Sequence, residues 1–199
     1  LPDDLSGFDE EHQLSLQVIR ENMLKNHGYY KVTEDGVEQC LISCDDGVYR
    51  FTPPESEEQD WTVEKLVDEA ASDAVLVDLD QDGEKELILI SPFHGEHIYF
   101  YKKIDGDYKK VYTYDTADFA HAIYGGTLLG KPAVIIGHRK GERNLLLFTW
   151  EQEKGQYQVE ILDRDCGPAN VFKYERGTEE VLISTNREID EVAMYTFEK

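Results

Sequence analysis

The sequence predicts an all-β protein, a small β-propeller of four blades with four antiparallel strands in each blade. Two observations carry this prediction. First, a turn glycine recurs every 47 residues without an insertion, and the four copies are Gly36, Gly83, Gly130 and Gly177. Second, an apolar run follows each turn at the same spacing, at 40–43, 87–90, 134–137 and 181–184. A repeat of this length with short strands in every unit is typical of radial arrays.

Composition limits the classes of partner. The chain has 199 residues and a formal net charge of −22, and such a surface repels phosphate backbones and anionic lipid. We therefore expect neither nucleic acid nor membrane partners, and no apolar run approaches the ~18 residues that a membrane span needs. The remaining partner classes are cations, small polar molecules and a basic protein.

The three cysteines, Cys40, Cys44 and Cys166, are an odd number. Cys40 and Cys44 lie on one extended segment, too far apart to form a bond. We interpret all three as reduced packing residues, which favours a cytoplasmic location. No leader peptide is visible, although one could have been removed.

The repeat places each strand in order along the chain. Within each 47-residue unit, apolar residues alternate with polar ones or form short continuous runs, which are the two patterns of half-buried and fully buried strands. The predicted strands are 29–32, 38–44, 48–51 and 61–67 in blade one; 75–79, 86–91, 97–101 and 108–114 in blade two; 122–128, 133–138, 145–150 and 157–162 in blade three; and 170–174, 180–185 and 192–197 in blade four.

The last blade lacks an outer strand in this scheme. Residues 14–20 alternate apolar and polar, so we expect them to complete blade four and close the ring, which leaves no unpaired sheet edge. The domain prediction is thus an N-terminal arm at 1–13 and a propeller domain at 14–199. A helix over 9–26 is the competing interpretation of this segment. An arc of a larger propeller, or a dimer that completes one, is the competing interpretation of the ring.

Blade two carries an acidic turn with alternating carboxylates, Asp78-x-Asp80-x-Asp82-Gly83-Glu84-x-Glu86. Gly83 lets the chain reverse, so that the carboxylates gather on one side, and Ca²⁺ prefers six to eight oxygen ligands. The spacing does not fit an EF-hand, which needs its last glutamate at Leu89 and helices on both sides. A solvated acidic turn without an ion is the alternative.

This turn resembles the calcium loops of FG-GAP-type propeller repeats. The resemblance implies a structural Ca²⁺ with Asp78, Asp80, Asp82 and Glu86 as side-chain ligands and Glu84 as a ligand through its carbonyl.

A second candidate site follows from the topology of a propeller. Loops between the second and third strands, and segments that enter a blade, lie on the same face of the ring, opposite the glycine turns. Five of the six histidines fall in such loops or entries, and only His12 does not. The predicted ligand-binding residues on this rim are His27, His94, His97, His121, His138, Arg139, Asn170, Arg187 and Glu188.

Imidazoles, guanidinium groups and carboxylates together suit a polyhydroxylated or carboxylated small molecule, or a transition metal held by several imidazoles. Solvated loop residues are the alternative. No nucleophile or phosphate-loop motif accompanies the rim.

Three short motifs on this rim, 92–96, 120–126 and 137–139, are similar to the propeller portion of fungal aldos-2-ulose dehydratase and related bacterial propellers. That resemblance implies sugar-derived substrates and metal-assisted dehydration or isomerisation. It would make His94, His121 and His138 metal ligands or acid and base groups, with Arg139 and Arg187 binding oxyanions.

Three functions therefore compete. The leading hypothesis is a calcium-stabilised propeller that binds a sugar or sugar acid in the histidine-rich mouth. The alternatives are a metal-dependent sugar lyase or isomerase at the same mouth, and a protein-interaction propeller with an acidic rim.

Overall fold

The computed structural model describes residues 17–56 and 58–199 and shows four antiparallel sheets arranged as a four-blade β-propeller. The predicted fold class is confirmed, and every strand predicted between residues 29 and 197 overlaps an observed one. Blade one contains β1 (Tyr29–Glu34), β2 (Val37–Cys44), β3 (Gly47–Thr52) and β4 (Thr62–Val67). Blade two contains β5 (Asp73–Val77), β6 (Glu86–Ile90), β7 (Ile98–Ile104) and β8 (Asp107–Tyr114). Blade three contains β9 (Ala120–Leu128), β10 (Lys131–His138), β11 (Leu145–Glu151) and β12 (Gln156–Asp163). Blade four contains β13 (Pro168–Arg176), β14 (Glu179–Asn186) and β15 (Glu191–Glu198).

The turn glycines of the repeat all have positive φ, as a tight turn between strands requires. Gly36 and Gly130 have φ of 79° and 71°, and each follows a residue that also has positive φ, Asp35 or Leu129. Two consecutive residues with positive φ form the tight hairpin turn that matches the twist of paired strands. These turns therefore set the register between the first two strands of blades one and three.

Consecutive blades pack face to face through apolar side chains. Leu87 and Leu89 of β6 lie in the cluster shared with blade one, whereas Ile88 and Ile90 lie in the cluster shared with blade three. All four side chains are fully buried. A third cluster joins blades three and four. This explains why the second strand of a blade is a continuous apolar run, since both of its faces are covered.

Gly125 in β9 marks the tightest contact between blades two and three. A β-carbon at this position would lie 2.8 Å from Cβ of Val75 and 2.8 Å from Cγ2 of Val77. The Tyr30 hydroxyl of blade one donates to the Gly125 carbonyl. The two blades can approach this closely because Gly125 has no side chain.

The predicted closure of the ring is not seen among the described residues. Residues 17–20 form no strand, and the Arg20 guanidinium lies 4.5 Å from the ring centre of Tyr49 in blade one. Residues 17–26 are not helical either. Residues 14–16 and the arm at 1–13 lie outside the described residues. Within the described chain, blade four has three strands, and no hydrophobic cluster or hydrogen bond joins it to blade one.

Helical structure in the described chain is limited to one 3₁₀ turn (Arg187–Ile189) between β14 and β15. No helix there has the length and apolar character to cross a membrane. The three cysteines are free thiols, as the sequence predicted.

Replacing Gly125 by Ala tests the packing between blades. We expect the free energy of unfolding in urea to fall by about 1–3 kcal/mol, because the new methyl group meets two rigid β-branched side chains. Gly126→Ala is the matched control, since its new methyl group meets only the hydroxyl end of Tyr124, which can rotate away. If both variants lose the same free energy of unfolding, the loss comes from placing alanine in this strand and not from the close approach of the two blades.

Candidate functional site

Three histidines from successive parts of the repeat meet on one rim of the propeller. His27 precedes β1, His94 lies in the loop between β6 and β7, and His121 lies in β9. One nitrogen from each ring lies within 4.8 Å of the others. The rings of His94 and His121 stack with centroids 4.7 Å apart, and His27 meets His94 edge-on at 4.8 Å. The structure thus brings together three of the five rim histidines that the sequence singled out.

The backbone around His94 is fixed in an unusual conformation. His94 has φ of 55°, in the left-handed region that few non-glycine residues adopt. Its amide donates to the hydroxyl of Ser72 at 2.7 Å, and the next amide, of Gly95, donates to the Ser91 carbonyl at 3.0 Å. A β-carbon at Gly95 would lie 2.0 Å from the Ser91 hydroxyl. The loop therefore holds the His94 backbone in this conformation, and it leaves no room for a side chain at position 95.

Backbone carbonyls orient two of the three rings. Nδ1 of His121 lies 2.7 Å from the Ala169 carbonyl, and Nδ1 of His27 lies 3.3 Å from the Ser72 carbonyl. A carbonyl only accepts, so these Nδ1 atoms carry a proton, and in the neutral form of each ring the lone pair is on Nε2. Nδ1 of His94 is buried without a hydrogen-bond partner. Ser72 therefore contacts two of the three histidines, through its hydroxyl and its carbonyl.

The surroundings of His94 and His121 favour their neutral forms. Burial, followed by the neighbouring His121 and His27, lowers the pKa of His94 to about 4. Burial also lowers the pKa of His121, and the charges of Arg139 and Arg187 contribute in the same direction. Neutral imidazoles with free lone pairs are the form that binds a metal ion.

Aromatic and basic side chains surround the three rings. Phe119 stacks on His94 with centroids 4.8 Å apart, and Phe93 lies 4.2 Å from the same ring. The guanidinium carbon of Arg139 lies 4.9 Å from the centre of the Phe119 ring. Arg139 also pairs with Glu188 at 2.7 Å. The mouth thus combines aromatic rings and imidazoles with an arginine that is paired with a glutamate.

The other predicted rim residues have different positions. His138 is buried, and both its nitrogens are engaged within its own turn, with the Lys140 carbonyl and the Asn144 amide. It therefore does not take part in the cluster. Nδ1 of His97 lies 3.5 Å from Asp115. Asn170 and Arg187 are exposed at the edge of blade four. Phe93 and Phe119 were not among the predicted site residues. The sequence marks them only by their position, since each lies close to a rim histidine.

Three of the five predicted calcium ligands in the acidic turn of blade two lie close together. Oxygen atoms of Asp78, Asp80 and Glu86 lie within 4.8 Å of one another. The carboxylate of Asp78 accepts hydrogen bonds from the amides of Asp82 and Gly83, each at 3.1 Å. These two bonds stabilise the turn itself. Glu86 is completely buried, and its Oε1 has no hydrogen-bond partner. Burial, with Asp80 nearby, raises the pKa of Glu86 to about 7.

An ammonium group already lies among these carboxylates. Lys102 of β7 hydrogen-bonds Asp80, lies 2.8 Å from Asp82 and lies 3.6 Å from Glu86. Burial alone lowers the pKa of Lys102, but the hydrogen bonds to Asp80 and Asp82 outweigh it and raise the pKa. The residues therefore fit a Ca²⁺ ion only in part, because the ion would have to displace Lys102. Lys102 follows Asp82 by 20 residues on a different strand, so no local pattern could have indicated it.

A cavity of about 550 Å³ lies on the opposite, glycine-turn side, between blades one and two. Its main charges already pair with one another: Arg50 with Glu34 and Glu64 at 2.8 and 2.6 Å, and Lys85 with Glu34 at 3.3 Å. Paired charges leave few free groups for a ligand. The histidine mouth, with an unpartnered ring nitrogen, is the stronger candidate site.

Comparison with known proteins identifies the fold. No family model matches the chain, and no curated protein matches it. A crystal structure of a putative 6-phosphogluconolactonase from Bacteroides fragilis NCTC 9343 is similar over 87% of this chain, with a TM-score of 0.56 and 17% sequence identity. The match covers 50% of that protein, so the chain spans about half its length. The comparisons do not show the FG-GAP or aldos-2-ulose dehydratase families that the motifs resemble. At this identity the likeness establishes a β-propeller and no particular family.

Proposed function

We propose that the histidine mouth binds a small polar ligand, a sugar or sugar acid, next to a divalent transition metal held by His27, His94 and His121. The observation that carries this proposal is the convergence of three imidazoles from separate repeats, two of them oriented by backbone carbonyls. Core packing does not explain why the three rings meet, because His27 is exposed and the other two rings are only half-buried.

The donor set supports a metal of the zinc or nickel type. Imidazole nitrogens suit Zn²⁺, Cu²⁺ and Ni²⁺, and metal-binding histidines usually donate their other ring N–H to a carbonyl or carboxylate. His27 and His121 already make such bonds. Nδ1 of His94 is the buried nitrogen that lacks a partner. Three protein ligands leave coordination positions for a bound molecule.

The groups around the metal ligands support a carboxylated or polyhydroxylated ligand. Arg187 adds positive charge that attracts a carboxylate, whereas Arg139 is already paired with Glu188. Phe93 and Phe119 offer apolar surface for the carbon face of a sugar. The similar Bacteroides protein is named for a sugar lactone as its substrate. That name agrees with the ligand class proposed here.

A metal-dependent sugar lyase or isomerase is the second candidate. It is favoured by the neutral His94, which could exchange protons with a ligand if it does not bind the metal. His138 cannot serve as a third catalytic group, because both its nitrogens are engaged. Turnover of a hexose acid by the metal-loaded protein would favour this candidate over a binding protein. A lack of response to both metals and sugars would favour the protein-interaction propeller.

We also propose that Ca²⁺ competes with Lys102 for the acidic turn of blade two. Oε1 of Glu86 is buried and accepts no hydrogen bond, which supports a cation there, whereas the ammonium of Lys102, 3.6 Å from that oxygen, opposes it. Such an ion would have a structural role, since the turn lies on the face opposite the histidines.

The three free cysteines support a cytoplasmic location for the protein.

Removing one imidazole should abolish the transition-metal site. We expect Zn²⁺ or Ni²⁺ to bind at about one per chain by calorimetry, and the His94→Ala variant to bind at least about tenfold more weakly. His97→Ala is the matched control, because His97 lies in the same loop outside the cluster, and it should bind like the wild type. Equal weakening in both variants, or no binding to the wild type, would refute the metal site.

The ligand class can be tested separately from the metal. We expect gluconate to raise the melting temperature of the wild-type protein, and to do so less in Arg187→Ala, because a carboxylate loses one of its attracting charges. Acetate at the same ionic strength controls for screening of the net charge. Identical shifts with gluconate and acetate would argue against a sugar-acid site.

Replacing Lys102 by Met should allow the acidic turn to bind Ca²⁺ more tightly. Without Ca²⁺ we expect Lys102→Met to lose about 3 kcal/mol of stability, because the carboxylates of Asp80 and Glu86 are left without their cation. Added Ca²⁺ should restore the loss and should stabilise the wild type much less. Lys103→Met is the control, since Lys103 lies 3.9 Å from the exposed Glu84 alone. If Ca²⁺ stabilises the wild type and Lys102→Met equally, the ion and Lys102 do not compete.

A further inference from the structure

A cavity of about 380 Å³ lies between the outer strands of blades two and three. Three aromatic side chains line it: Tyr112 of β8, Trp150 of β11 and Tyr157 of β12. The rings of Trp150 and Tyr157 meet edge-on with centroids 4.9 Å apart, and Tyr112 lies 5.1 Å from Tyr157. We call this cavity the aromatic slot. Its volume is in the range of pockets that bind small molecules.

The aromatic slot is open to solvent although its walls are largely apolar. All three rings pack against the hydrophobic cluster between blades two and three, yet each is only half-buried. Val111, which also lines the slot, is 43% exposed. Tyrosine and tryptophan grouped at a surface are typical of binding sites.

Negative charge is in excess next to the aromatic slot. Lys102 lines the slot, and it hydrogen-bonds Asp80, lies 2.8 Å from Asp82 and lies 3.6 Å from Glu86. Even when Glu86 is protonated, two carboxylates remain for one ammonium. The side chain of Gln152, just after β11, donates to the Asp80 carbonyl at 2.6 Å and so holds the acidic turn of blade two against blade three.

The position of Lys102 shows which chemistry this surface accepts. Its Nζ lies 5.9 Å from the centre of the Trp150 ring, while carboxylates contact it from the other side. An aromatic face attracts a cation at this distance, because the face of the ring is electronegative. A second cation in the open part of the slot would find the same two kinds of partner.

The hydroxyl of Tyr157 adds an unmet hydrogen bond. It is buried and has no partner among the described residues. Glu86 and Lys102 both act on its pKa, so the hydroxyl lies on the side of the ring toward the acidic turn. A ligand that donates N–H groups could satisfy this oxygen.

We propose that the aromatic slot binds an alkylguanidinium group, as in an arginine side chain. A guanidinium is planar, stacks on aromatic faces and is more weakly hydrated than an ammonium, so it leaves water at a smaller cost. The net charge of −22 also draws cations toward the protein. The slot shares no residue with the histidine mouth, so this inference is independent of the metal and the sugar proposed there.

The test uses the fluorescence of Trp150. The chain has two tryptophans, Trp61 and Trp150, so a Trp61→Phe variant leaves Trp150 as the reporter. We expect N-acetyl-arginine amide to change the emission saturably, in buffer with a chelator that keeps Ca²⁺ from the acidic turn. N-acetyl-citrulline amide has nearly the same shape but no charge, and it should bind at least about tenfold more weakly. Equal responses to the two compounds, or no response to the arginine compound, would overturn the proposal.

Two acidic residues of the same turn separate local attraction from the effect of net charge. Asp82→Asn and Glu84→Gln each remove one negative charge, but Asp82 lies 2.8 Å from Lys102, whereas Glu84 lies 3.9 Å from Lys103, outside the slot. We expect Asp82→Asn to weaken binding of the arginine compound several-fold and Glu84→Gln to leave it nearly unchanged. Equal weakening would mean that the whole surface, and not the slot, attracts the cation, and the proposal would fail.

Methylguanidinium, which has no peptide groups, identifies the source of the cation. If it binds as tightly as N-acetyl-arginine amide, the guanidinium belongs to a small molecule. If it binds more weakly, the peptide groups contribute and the slot binds an arginine of a polypeptide. Either result supports a guanidinium site, whereas a Trp150 emission that methylguanidinium and N-acetyl-arginine amide both leave unchanged contradicts it.

Discussion

Apolar packing on both faces of each sheet is the constraint on which the rest of this structure depends. In β6, adjacent residues alternate between two hydrophobic clusters, so Leu87 faces blade one and Ile88 faces blade three. A strand of this kind cannot be stable in an isolated sheet, because one of its faces would be exposed to water. Each blade therefore requires a neighbour, and the array of blades follows from the sequence of its second strands.

The same packing accounts for the position of the histidine site. Tight contacts such as that of Gly125 against Val75 bring the inner strands close together. The residues that enter each blade, and the loops between second and third strands, then meet on one rim. His27, His94 and His121 are far apart in sequence but adjacent in space for this reason. Their polar mouth is a consequence of how closely the apolar sheets approach one another.

Sequence periodicity was sufficient to predict the strands, because glycine turns and apolar runs recur at a constant spacing. It also placed His27, His94 and His121 on one face. It could not show that His138 uses both nitrogens within its own turn, or that Lys102 reaches the acidic turn from another strand, since both depend on side-chain directions. The alternation of apolar and polar residues at 14–20 predicted a closing strand. Arg20 instead lies against Tyr49 of blade one, and an apolar–polar pattern cannot predict such a contact between two side chains.

Ser72 links the parts of the mouth in a way that affects how it would respond to a bound molecule. Its hydroxyl accepts the His94 amide and donates to the Ser91 carbonyl at 3.0 Å, while its own carbonyl lies 3.3 Å from the His27 ring. A shift of the His94 loop would therefore be transmitted through one short residue to an imidazole of another blade. The two rings would be mechanically coupled, so an occupant that displaces one of them would also reposition the other.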